Sequence, residues 1–399
     1  QIWDIWQTTW DRSKLLTRLP QSSPINFVTP GPIASANIEV LDTQLFQNID
    51  GFGATLSRTV TALVNVCLML VMIADSSAVT LNNLKNTNPT NYNNLLRQMF
   101  DATDGAATAG LNYIRFSIGA SDFSPYLRTV SLPAYSWDDV SGDTSFSRFS
   151  ITTPSYVFSV LKDIQAINNR VKVHIIPWSP PGWTKTSGVM SGGSLASQYV
   201  GICVKVVGYE HNWDNAGTYP VTLMQDAGNA FSGVAFHCYA GDVTGQDTFH
   251  NAFPNKALMW NFALDGSGNP KLPGANSCGG PGCRPLVTVN SDGSFSPNQE
   301  FWAMAQASRA IVPKDPGGPF GQRVGVSVTG NLNWALRVGA YVTGRTSSQP
   351  QRYSIVVLNW DDNSSTTWNP VPVTTTILFR GMQATVTFPV GITTLWWFA

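Results

Sequence analysis

The sequence is short of charge. Only 12% of its 399 residues are Asp, Glu, Lys or Arg, 24 basic side chains match 24 acidic ones, and the formal net charge is zero. Such a balance leaves no electrostatic footprint for nucleic acid or an acidic membrane surface. Glutamate is scarcer still: Glu39, Glu210 and Glu300 are the only three. Cysteine is limited to five residues. Cys278 and Cys283, in SCGGPGCR, are spaced for a loop-stapling disulfide, and no second Cys or His pair stands at zinc-ligand spacing. No metal and no organic cofactor is implied. Long apolar runs are also missing. The one candidate, RTVTALVNVCLMLVMIA over 58–74, has an apolar core (60–74) shorter than the about 18 residues that a membrane span requires.

What the chain does have is Asn, Ser, Thr and Gly in quantity, with 14 Trp, 11 Tyr and 20 Phe. Large aromatic cores account for most of these rings, yet Trp at this density also suits surfaces that stack on sugars. The chain opens at Gln1 rather than Met, which fits a processed, secreted protein. Asn363, in NSS, is a sequon for glycosylation in the same compartment.

The last 75 or so residues alternate in strand fashion: RVGVSV, ALRVGAYVTG, RYSIVVLNW, TTTILFRG and ATVTFPVG, with turn clusters such as DDNSS between them. That pattern predicts an antiparallel sandwich. From about residue 45 to 318 the texture changes. Short apolar strands (LNYIRFSIG, VKVHIIPW, GVAFHCY) alternate with helical stretches such as YVFSVLKDIQAI, as in repeated βα units. A (β/α)8 barrel fits that length.

The run 58–74 belongs to neither texture. It lacks a helical stripe, so if folded it must be buried on all sides. With it removed, GFGATLS joins DSSAVTLNNL, and Asp75 or Ser76 would cap a helix directly after a strand end. The run therefore reads as a foreign insert.

Three strands end in chemically useful clusters: YIRFSIGASDF, HIIPWSPPGWTKTSG and GVAFHCYAG. In a (β/α)8 barrel the strand C-termini share one face, so Arg115, Asp122, Trp178, His237 and Tyr239 would converge on one cleft suited to a neutral polyol. Plainer readings stand beside this one. Arg115 and Asp122 could form a buried ion pair, Trp178 could be a core aromatic, and His237 a satisfied core histidine.

IDGFGA (49–54), RFSIGASDFS (115–124), YSWDD (135–139), PWSPPGWTKTSG (177–188), HCY (237–239), WNFALD (260–265) and FPVGITTLWW (388–397) resemble glycoside hydrolase family 30. The likeness is to the fungal endo-β-1,6-glucanases of that family, which also includes glucosylceramidases. It implies an α/β fold, a (β/α)8 TIM barrel over 45–318 with a side antiparallel β-sandwich formed by both termini, 1–44 and 319–399. It further implies that Arg115, Asp122, Trp178, His237, Tyr239 and Trp260 hold the sugar before the cleaved bond. Thr184 stands where PPGWMK is usual, a change of local packing.

Family members retain anomeric configuration, which needs two carboxylates about 5–5.5 Å apart. The resemblance puts the acid/base in an Asn-Glu-Pro motif ending the fourth barrel strand and the nucleophile on the seventh. No Asn-Glu-Pro occurs here. GGSLASQYV runs within a few residues into ICVKVVGYEHNWD, which looks like the fifth strand, and HNAFPNKAL runs at once into MWNFALD, which resembles the eighth. Both catalytic segments are thus expected to be absent and the barrel incomplete. Glu39 is placed on a sandwich strand, Glu300 at an exposed helix start, and Glu210 remains a weak catalytic candidate. The expectation is an inactive, monomeric, extracellular member of a β-glucan-cleaving lineage. The alternatives are a non-catalytic β-glucan-binding protein and a mis-spliced product that does not fold.

Overall fold

The structure is a computed structural model. It describes residues 1–20, 24–49, 71–73, 75–121, 124, 135–151, 155–190, 192–202, 208–227, 234–237, 262–270, 285–313, 320–344, 350–362 and 367–399. The chain begins with β1 (Ile2–Thr9), β2 (Thr17–Arg18) and β3 (Ala36–Asn48). Its middle holds β4 (Val71–Ile73), α1 (Asp75–Thr87), α2 (Pro89–Phe100), β5 (Tyr113–Ile118), α3 (Ser155–Ile167), β6 (Lys172–Pro177), β7 (Gly208–Asn212), α4 (Tyr219–Ala227), β8 (Val234–His237), β9 (Ala263–Leu264), β10 (Val287–Val289), β11 (Phe295–Pro297) and α5 (Gln299–Ile311). It closes with β12 (Gln322–Thr329), β13 (Leu336–Thr343), β14 (Arg352–Asn359), β15 (Val373–Phe379), β16 (Met382–Phe388) and β17 (Gly391–Phe398).

The terminal strands share one sheet in the order β16-β15-β3-β12-β13-β14-β17-β1-β2. Its joints are antiparallel with one exception: β15 and β3 run parallel from Thr375↔Ala36 to Phe379↔Val40. This corrects the purely antiparallel expectation. The two strands come from opposite ends of the chain, and no hairpin turn dictates their direction. The sheet doubles back so that Phe379 of β15 meets Tyr353 of β14 at 4.8 Å and Trp397 of β17 at 5.2 Å, with Phe27 between Phe379 and Trp397. A sandwich results from a single sheet.

Alternation explains the apolar density of the central strands. In β14, Tyr353, Ile355 and Val357 enter the sandwich core, while Val356 and Leu358 face the barrel-side core. In β17, Leu395 and Trp397 go one way, Ile392 and Trp396 the other. Both faces are covered because α5 lies between sandwich and barrel. Every residue of α5 from Glu300 to Ile311 is buried, so Glu300, expected at an exposed start, is instead 9% exposed. Gln306 Nε2 donates to Thr8 Oγ1 at 3.0 Å, Thr394 Oγ1 donates to the Gln306 carbonyl at 3.1 Å, and Arg309 Nη2 donates to the Thr103 carbonyl at 3.1 Å.

The middle of the chain forms parallel βα units. β4, β5 and β6 pair in that order, β7 pairs with β8, and β9 runs parallel to β10, which turns back into β11. Of the run expected as an insert, Val71–Ile73 form β4 against residues 114–116, and the rest lies outside the described residues. α1 begins at Asp75, where the sequence places a helix start. Ser77, fully buried, holds it to β9: its Oγ accepts from the Ala263 N–H at 3.1 Å and donates to the Ala263 carbonyl at 3.0 Å. Asn88 caps α2 by accepting from the Asn91 N–H at 3.0 Å, with Pro89 at the first helical position. No helix among the described residues is long and apolar enough to cross a membrane.

Among the described residues the parallel strands fall into three hydrogen-bonded groups, broken after β6 and after β8. The break after β6 leaves a mark on its outer face. Ile114 and Phe116 of β5 are buried on that face, and their register partners on β6 are Val173 and Ile175. Those two remain 36% and 48% exposed.

Candidate active site

β5 supplies the first component. Ile114 and Phe116 face the helices, Phe116 meeting Phe158 of α3 at 5.9 Å, so alternation turns Arg115 and Ser117 to the barrel interior. Both are buried, and Arg115 sits in register between Met72 of β4 and His174 of β6.

A sharp turn follows. Gly119 has φ +79°, and a Cβ there would lie 2.8 Å from the Tyr135 carbonyl, so only glycine fits. Ala120 N–H donates to that same carbonyl at 2.7 Å. Ser121 and Ser124 close the turn: the Ser121 N–H donates to Ser124 Oγ at 2.9 Å and the Ser124 N–H to the Ser121 carbonyl at 3.0 Å. Asp122 lies outside the described residues.

The turn joins RFSIGAS to YSWDD. In the latter, Trp137 packs with Phe116, Phe149 and Phe158, and Ser136 Oγ donates to Asp139 Oδ1 at 2.6 Å. Asp138 is 3% exposed. Burial raises its carboxyl pKa against the lowering effect of the Val140 backbone N–H, and the nearby Asp143 and Asp139 charges add to the rise. Its backbone carbonyl accepts from Trp183 Nε1 at 2.8 Å, which ties YSWDD to PWSPPGWTKTSG.

That third motif follows β6. Trp178 is 36% exposed at the strand's C-terminal end, a surface ring rather than a core aromatic. The loop beneath it is cross-braced. Lys185 Nζ donates to Ser179 Oγ at 3.1 Å and to the Met190 carbonyl at 2.6 Å, and Ser179 Oγ donates to that carbonyl at 2.6 Å. Burial lowers the Lys185 pKa. Thr184 is buried with its hydroxyl on the Pro181 carbonyl at 2.7 Å, a local packing role. Ser179 and Lys185, which make these braces, lie within PWSPPGWTKTSG. At Gly182 a Cβ would stand 2.9 Å from the Gly188 carbonyl, a closeness that only the folded loop shows.

His237 ends β8 in register with Asn212 of β7, and Glu210 pairs with Ala235 two residues earlier. Glu39 is exposed on β3 of the sandwich and Glu300 is buried in α5. Tyr239, Trp260, Cys278, Cys283 and Asn363 lie outside the described residues. Of the six positions expected to hold sugar, Arg115 lies on β5, Trp178 directly follows the adjacent β6, and His237 ends β8.

Residues 71–205, which hold the β4-β5-β6 sheet and the braced loop, match the glycosyl hydrolase family 30 TIM-barrel domain. This stretch is thus similar to a family 30 glycosidase domain. Its enzymatic class by that resemblance is O-glycosyl hydrolase. An endo-1,6-β-D-glucanase of Neurospora crassa is 23% identical over 446 residues, covering 84% of this chain and 82% of that protein. Among solved structures, an endo-β1,6-glucanase is 20% identical with TM-score 0.70, and SrfJ from Salmonella typhimurium 16% identical with TM-score 0.72, each over 99% of both chains. Those likenesses show a shared fold over almost the whole chain.

Proposed function

We propose that this chain is a family 30 glycoside hydrolase by lineage, directed at β-1,6-glucan, that binds the glucan as a monomer and does not cleave it. The observation that carries the reading is the placement of its three glutamates. Glu39 stands on the sandwich and Glu300 under it in α5, which leaves Glu210 of β7 without a second glutamate for a retaining pair.

Two further observations support it. The parallel strands break after β6 and after β8 among the described residues, the two places where the fourth and seventh strands of the family would carry the acids. The alignment with the Neurospora protein runs over 446 residues, more than the 399 of this chain, so that relative has residues this chain lacks inside the aligned region.

The chemistry follows. Retaining hydrolysis needs one group to protonate the leaving oxygen and another to attack the anomeric carbon. Loss of a general acid alone costs roughly 10²- to 10⁴-fold in rate, and without the nucleophile no glycosyl-enzyme forms. What remains is binding: Trp178 offers an indole face to a pyranose, and Arg115 lines the barrel interior below it. A wall glucan is a polymer met outside the cell, so the reading carries an extracellular location.

The test is reducing-sugar release from soluble β-1,6-glucan alongside calorimetric binding of its oligomers. Binding without release is expected, with affinity lost in Trp178→Ala. Sustained turnover that disappears in Glu210→Gln would overturn the reading.

A further inference from the structure

Large buried rings dominate both cores: Trp6, Trp137, Trp302, Trp396 and Trp397 are all at most 8% exposed. Among the described residues five tryptophans are exposed. One is Trp178 in the barrel. The other four are Trp10 at 49%, Trp334 at 45%, Trp360 at 45% and Trp368 at 50%.

Register places these four at one rim of the sandwich. Thr9, the last residue of β1, pairs with Gly391 at the start of β17; Gly391 pairs with Asn359 at the end of β14; Asn359 pairs with Leu336 at the start of β13. Trp10 and Trp360 directly follow β1 and β14, and Trp334 lies two residues before β13. Trp368 joins them through an edge-to-face contact with Trp10, ring centroids 5.1 Å apart. Trp334 and Trp360 make a second such pair at 6.4 Å. One strand, β17, separates β1 from β14, which sets the two pairs about 10 Å apart at the backbone.

The rings are held in place. Trp360 Nε1 donates to the Trp334 carbonyl at 2.9 Å, and the Arg337 guanidinium backs the Trp360 ring at 5.5 Å while donating to the Trp334 and Leu336 carbonyls. The Trp10 N–H donates to the Val390 carbonyl at 3.1 Å. Just past Trp368, Asn359 Nδ2 donates to the Val371 carbonyl at 3.0 Å, and the Val371 N–H to the Asp361 carbonyl at 2.8 Å. Ordering these indoles on a ligand therefore costs little further entropy.

We infer that this rim is a second glucan-binding surface, separate from the barrel cleft, that takes a neutral β-linked glucan chain by stacking. A pyranose ring presents a face of weakly positive C–H bonds to the negative face of an indole, while its hydroxyls stay in water. The exposed large apolar side chains of the rim segments are tryptophans alone, beside polar Asn331, Asn333 and Thr367. A protein partner would be expected to meet aliphatic side chains as well. The absence of net charge suits a neutral polymer. The inference rests on the glucan reading of the barrel. A second surface on one polymer would raise the local concentration of the chain at the first.

The test uses the full chain in affinity gel electrophoresis and in depletion by insoluble β-1,6-glucan, with thermal unfolding as the control for folding. Trp10→Ala/Trp368→Ala and Trp334→Ala/Trp360→Ala should each weaken polymer binding roughly tenfold to a hundredfold, with short-oligomer binding in the cleft unchanged. Trp360→Tyr/Trp368→Tyr, which keeps aromatic faces, should restore most of it. Trp178→Ala should instead abolish short-oligomer binding and leave rim binding. Rim variants that hold the polymer as the parent does would overturn the inference while the cleft reading stands. So would rim variants that convert a dimer to a monomer in sedimentation without changing glucan retention, because the rim would then be a contact between copies. A parent chain that retains no polymer would overturn both.

Discussion

The sandwich and the barrel of this chain are built from the same residue types and differ in continuity. The sandwich draws strands from both ends of the chain into one unbroken sheet of nine, with Tyr353, Phe379 and Trp397 locked across its interior. Among the described residues the barrel's parallel strands stand in three groups, and β6 shows Val173 and Ile175 to solvent where Ile114 and Phe116 of β5 are buried. A sheet keeps its apolar face dry only where the next layer is present. The sandwich has its own folded-over half and α5. The outer face of β6 has no such cover among the described residues, and an uncovered strand invites association.

The sharpest way to break this comparison is to damage the sandwich. Trp397 is 1% exposed and stacks on Tyr353 at 5.9 Å. Trp397→Ala should cost about 3–5 kcal/mol, read by urea unfolding, and should take the sandwich with it. A loss of well under 1 kcal/mol would mean that this core does not anchor the fold. Next is the joint between α1 and β9. Ser77→Ala removes both bonds to Ala263 and leaves its buried N–H unpaired, an expected cost of about 1–3 kcal/mol, with faster amide exchange at Ala263.

Ile175→Thr on the exposed face of β6 should change stability by no more than about 0.5 kcal/mol and reduce aggregation on heating. A large destabilisation would show that Ile175 is covered in solution and would erase the contrast. The smallest effect concerns Asp138. Its carboxyl pKa is raised by burial, so ionisation costs the folded state more than the unfolded one, and stability falls as pH climbs through and above the carboxylate range. In Asp138→Asn the gain in thermal midpoint over the parent should therefore be larger at pH 7 than at pH 4.

Much of the architecture was legible in the sequence. RYSIVVLNW, TTTILFRG and ATVTFPVG occur as β14, β15 and β16, and YVFSVLKDIQAI falls within α3, because period-two and period-3.6 patterns are local properties. Arg115 on a barrel strand and Trp178 at a strand end were legible for the same reason. The parallel joint of β15 to β3 was not, since it unites residues more than three hundred positions apart and no turn announces it. Nor was the burial of α5 from Glu300 to Ile311, for a helix with an acid in its first turn and an Arg in its last reads as having a solvated face until both its neighbours are known. The meeting of Gly119 with Tyr135 and of Asp138 with Trp183 likewise depends on loops folding back.

By itself the chain of letters determined which segments are strands and helices, how few carboxylates are on hand, and that the molecule carries no net charge. Those are counts and periodicities, carried by each residue wherever it ends up. Which tryptophans stay wet, which helix is buried between sandwich and barrel and which strands pair were decided only by tertiary structure. Exposure and pairing belong to the surfaces that pack together, and distant segments must arrive before either exists.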